Sequence, residues 1–162
     1  MIFKWKYSAI LVGVFLGFHC CRSEKDIQKQ SVKDIYGHPV SYLLEDNRNI
    51  YYCEDGKKIK TYLGGVEFNG GRDSLSEYLL EKYVNHPSYD YHEYNIIEYF
   101  YLLLNKNLEV KEVRILYRKY DNNKRFYYDS IFIDALKNTT GMWHKTVENQ
   151  EWYTYLHRQR IY

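Results

Sequence analysis

The sequence predicts an α+β domain, and three observations carry that reading. Leu75, Tyr78, Leu79 and Tyr83 recur at helical spacing. Ile131, Phe132, Ala135 and Leu136 make a second apolar stripe. Between the two lie long β-prone runs, 96-IIEYFYLLL-104 and 108-LEVKEVRILY-117. At 162 residues the chain can hold one domain with a real core, plus appendages. Its 23 Lys and Arg against 21 Asp and Glu are nearly balanced, so nucleic acid is not the expected partner, although a balanced total leaves room for a local polyanion-binding patch. The 20 tyrosines suit half-buried strands, and the 2 prolines leave no stiff extended spacer.

The first element, 1–21, reads as an export segment. Lys4 and Lys6 precede 7-YSAILVGVFLGF-18, an apolar run too short to cross a bilayer, which takes about 20 residues. His19-Cys20-Cys21 ends it and resembles a bacterial lipoprotein cleavage site. Cys21, with Cys20 as the alternative, is the expected lipidated residue. The chain is therefore expected to be exported to the periplasm or outer membrane and held on the membrane by lipid; an ordinary secretory signal and a short anchor left uncleaved are the other readings. Residues 22–34 are polar and read as a tether. Residues 35–63 read as a β-hairpin extension, because Asp55-Gly56 sits between the β-prone runs Ile50–Cys53 and Ile59–Tyr62. Cys53 stands apart from the other cysteines, so no disulfide framework is expected.

In 68-FNGGRDSLSEYLLEKYVNHP-87, Gly70 and Gly71 open the first helix, Asp73 suits its positive end, and His86-Pro87 closes it. Asn105-Lys106-Asn107 is a turn between the two long runs. The odd spacing of Val110 and Val113 breaks strand alternation and predicts a bulge or a bend between them. Asp129 opens the second helix and Asn138 to Gly141 ends it. Trp143 follows, and 152-WYTYLHRQRIY-162 is the last β-prone run.

Taken in order, these motifs over residues 64–162 resemble the C-terminal domain of TonB, most of all the copies in Bacteroidetes-type envelope proteins. The family's Phe-Pro-Gly-Gly is Phe68-Asn69-Gly70-Gly71 here, and its Tyr-Pro is His86-Pro87. Its strand, turn and Val-x-x-Val strand match Leu102–Leu104, Asn105–Leu108 and Val110–Ile115. Its second helix and tryptophan match Ala135-Leu136-Lys137 and Trp143. Leu108 stands where the family's turn has glycine. The resemblance implies a small antiparallel sheet with both helices packed on one face. It also implies a non-catalytic function, binding a protein or peptide by strand addition at the last strand, with an outer-membrane receptor segment as one such partner. The residues concerned are Trp152, Tyr153, Thr154, Tyr155, Leu156, His157 and Arg158; a homodimer stays open. The core expected from the pattern is Leu75, Leu79, Phe100, Leu102, Val113, Ile115, Phe132, Leu136 and Trp143.

No residue set points to catalysis, a cofactor or a metal. His92-Glu93 lacks the second histidine of a zinc-protease helix, and no cysteine pair has ligand spacing. The alternative function is glycan binding, with Tyr89, Tyr91 and Tyr94 as a stacking platform around His92.

Overall fold

A computed structural model describes residues 31–86, 96–119 and 128–161. Four strands come first: β1 (Ser31–Lys33), β2 (Pro39–Leu43), β3 (Arg48–Tyr52) and β4 (Lys58–Leu63). A short β5 (Val66–Phe68) leads into α1 (Gly71–Val84). The long hairpin of β6 (Ile96–Asn105) and β7 (Val110–Arg118) follows, then α2 (Tyr128–Lys137), β8 (Trp143–Lys145) and β9 (Trp152–Ile161). Among the described residues the strands form a 7-stranded sheet in the order β1-β2-β3-β4-β9-β6-β7, and β5 pairs with β8 in a 2-stranded ribbon.

The architecture is thus α+β, but the sheet is neither small nor purely antiparallel. The extension is a meander of four strands rather than a hairpin, and β4 joins it to the rest by running parallel to β9 at Tyr62–Tyr153 and Leu63–Thr154. The end of the expected tether is structured as well: Ser31–Lys33 is a strand and Asp34 is buried. Turn chemistry explains what was missed. Asp46 and Asn47 both take positive φ, 56° and 59°, as a tight hairpin turn requires, and so join β2 to β3. At Asp55-Gly56 only the glycine does, with φ 85°. There Gly56 N–H donates to Cys53 O and Cys53 N–H to Lys57 O, a longer connection than the sequence suggests.

The meander curls over the face of the sheet away from the helices and returns to the far edge strand. Ile35 N–H donates to Ile115 O on β7 at 3.0 Å. Arg114 of β7 pairs with buried Asp34, and the Glu54 N–H reaches the Glu112 carboxylate. Burial opposes ionisation of Asp34, yet the Arg114 guanidinium and the N–H groups of His38 and Tyr36 outweigh it and hold the carboxyl below the usual range.

Two cores result. All nine expected core residues lie together on the helix side, joined by Tyr83, Tyr128, Tyr153 and others. On the opposite face Val40, Tyr51, Tyr101 and Leu103 form a second cluster under the meander, with Tyr51 and Tyr101 stacked at 6.0 Å. Asn49 crosses this second core. Its amide donates to Ser41 and Tyr101 and its carbonyl accepts from Thr61, so three strands of the meander are tied to β6 by satisfied buried hydrogen bonds.

The glycine pair at the start of α1 has a geometric reason. Gly70 has φ 86° and Gly71 φ 83°, and a Cβ on Gly70 would meet Ser74 Oγ at 2.5 Å. The helix ends at Val84 with Asn85 as its cap; Pro87 lies outside the described residues. The break in strand phase is a bulge. Glu112 faces Leu103 and Val110 faces Leu104, so Lys111 is the extra residue and both valines keep to the helix-side core.

Candidate functional site: the open half of the last strand

The last strand is not the edge of the sheet. Antiparallel β6 flanks β9 along its whole length, from Ile96–Ile161 to Asn105–Trp152. On the other side β4 covers its beginning, where Tyr62 and Leu63 pair with Tyr153 and Thr154. This corrects the expectation that Trp152 to Arg158 form one free edge. The start of that stretch is occupied from within the chain. Beyond Thr154, no strand among the described residues pairs with β9 on that side.

One hydrogen bond sets the phase of the open part. Gly64 N–H donates to Thr154 O at 2.8 Å, so the Thr154 backbone faces β4. Backbone groups alternate sides along a strand, so Leu156 and Arg158 point their N–H and C=O groups outward as well, while Tyr155 and His157 point theirs to β6. Leu156 is an exposed apolar residue beside these groups, at 42% exposure. On the helix side, Gln159 donates to Ser76 O at 3.3 Å, which sets α1 above the strand. Leu80 and Val84, also exposed, continue the helix face that carries Ser76, at i+4 and i+8.

Beneath α1 lies a buried polar row. His157 is fully buried, its Nε2 3.1 Å from Gln159 Oε1. Burial, with Arg72 adding to it against the Gln159 hydrogen bond, pushes the His157 pKa down to about 4. Glu98, across from Gln159 on β6, is fully buried too. Burial and the neighbouring Asp129 carboxylate push its pKa far above the carboxylate range. A neutral Glu98 can donate its proton to Asp129, whose other oxygen takes Arg118. The sequence carried a signal for this: Glu98 is in phase with Phe100, Leu102 and Leu104, the core-facing positions of β6.

A cleft of about 710 Å³ lies between the meander turns, β7 and α2, where His38, Cys53, Glu54 and Arg114 all line it. Burial and the nearby Glu112 and Asp55 carboxylates raise the Cys53 pKa, the reverse of what a nucleophilic thiol needs. Cys20, Cys21, Tyr89, Tyr91 and Tyr94 lie outside the described residues. Among the described residues, no helix is long and apolar enough to cross a membrane. No protein-family model, curated protein or solved structure matches the chain.

Proposed function

We propose that the chain is an exported, lipid-held envelope protein that binds an extended segment of a second envelope protein by strand addition, without doing chemistry. The observation that carries this reading is the half-open side of β9. Its Leu156 and Arg158 backbone groups face outward, between exposed Leu156 on one face and exposed Leu80 and Val84 on the other. An unpaired strand side of this kind accepts a partner strand, whose alternate side chains fall on the two faces in turn. The β4 pairing restricts the added strand to the part of β9 beyond Thr154. That part runs from Tyr155 to Ile161, so an added segment of up to about seven residues can pair along it.

The test is retention of envelope proteins on the immobilised chain, repeated with proline variants. Proline removes a backbone donor. Leu156→Pro and Arg158→Pro should each stay folded and lose the retained partner. Tyr155→Pro and His157→Pro should unfold the domain, since they break the ladder to β6. Folded Leu156→Pro and Arg158→Pro variants that retain the partner as well as the parent would overturn the reading.

A further inference from the structure

The outer face of the sheet is uncovered toward the end of β9, and a row of aromatic and cationic side chains crosses it. Tyr117 on β7, Tyr99 on β6 and Arg158 on β9 are direct cross-strand partners. They stand side by side at the strand spacing of about 4.8 Å. The two tyrosine rings meet edge to face at 5.7 Å, and the Arg158 guanidinium lies 5.8 Å from the centre of the Tyr99 ring. Tyr117 is 49% exposed. Among the described residues, no carboxylate pairs with Arg158. Its guanidinium lies within cation–π range of the Tyr99 ring, and its planar fork of donors suits a planar anion. The next row places Lys119 and Arg160 on either side of Ile97.

We infer that this row is a second binding surface, for an acidic polysaccharide. A sugar ring packs on the Tyr117–Tyr99 pair, and its carboxylate or sulfate takes Arg158. Three features favour that ligand. The row runs across the strands and away from the open side of β9, so a linear polymer can follow it while an added strand touches only its Arg158 end. The strand β6 at its centre is paired on both sides, so a peptide lying across it would gain no backbone hydrogen bonds. The rings meet edge to face rather than lying side by side, an arrangement poorly suited to the successive stacked bases of a single-stranded nucleic acid.

The experiment measures binding of the full chain to polygalacturonate, heparin, neutral dextran, an acidic peptide (polyglutamate) and single-stranded DNA at ~0.15 M salt. A carboxylated or sulfated polymer should bind, and dextran should bind at least about tenfold more weakly, a difference of roughly 1.4 kcal/mol. Tyr117→Ala and Arg158→Ala should each weaken acidic-polymer binding about tenfold, the loss of one charged or stacking contact. Tyr36→Ala, at an exposed tyrosine elsewhere, should leave it unchanged. Because Tyr117 lies two strands from the open side, Tyr117→Ala should also leave strand capture intact, which separates the two sites. Any of four results would overturn the proposal: no acidic polymer bound, dextran bound equally well, both variants binding like the parent, or tighter binding of an acidic peptide or of single-stranded DNA.

Discussion

Two buried titratable side chains pull stability in opposite directions with pH. The unfolded His157 ring takes a proton near pH 6.5, whereas the folded one does so only near 4. Its contribution is therefore whole above pH 6.5 and is lost as the pH falls toward 4, by up to about 3 kcal/mol. Glu98 behaves in reverse. Its folded pKa is raised above the unfolded value of 4.5, so its contribution is whole below that pH and is lost as the pH rises. Urea unfolding across about pH 4 to 8 should show His157→Gln flattening the acid limb. Glu98→Gln, which keeps a donor toward Asp129, should gain on the parent steadily as the pH rises. A constant offset at every pH would contradict both assignments. Trp143 gives a pH-independent check. It packs edge-on against Phe68 and Tyr155 at 5.4 and 5.0 Å, and its indole N–H donates to Thr139 Oγ1 at 2.8 Å. Trp143→Ala should cost about 3–5 kcal/mol in the same assay, whereas a loss under about 1 kcal/mol would mean the ring does not pack as described.

At the scale of the elements, the sequence was informative where periodicity was long and uninformative where turns decide. Both helices lie where their stripes put them, with Leu75, Leu79, Phe132 and Leu136 fully buried. The Lys111 bulge followed from the Val110–Val113 spacing alone. The short strands β1 and β2 were missed because three to five residues give too little alternation to read. The parallel β4–β9 pairing was missed for a different reason. It joins residues far apart in the chain, and no local pattern records a long-range partner. That single pairing changed the site, since it removes Tyr153 and Thr154 from the free side. Leu108 takes a positive φ of 62° in the turn between β6 and β7, a conformation that glycine adopts more readily than leucine. The polar row across Tyr117, Tyr99 and Arg158 was equally hidden, because its members meet only through register.

For the whole molecule, the meander is a fixed part of the fold. Its attachment runs through Asp34–Arg114, the Asn49 network and the Tyr51–Tyr101 stack. Asp34→Ala should therefore cost about 3 kcal/mol, since it leaves the buried Arg114 guanidinium with only exposed Glu54, 3.7 Å away; a change under about 1 kcal/mol would mean that the turn is not anchored through this pair. The membrane proposal has its own test. Replacing both Cys20 and Cys21 by serine should move the chain out of the detergent phase, and unchanged partitioning would remove the lipid anchor from the account. The central claim is that the part of β9 beyond Thr154 is an open half-strand that another strand completes. Amide hydrogen exchange reads it most directly, residue by residue. In the free protein, the Leu156 and Arg158 amides should exchange fast and those of Tyr155 and His157 slowly. With the retained envelope partner bound, Leu156 and Arg158 should become protected while Tyr155 and His157 stay as they were. Slow exchange at Leu156 and Arg158 in the free protein, or no added protection with partner bound, would contradict the account.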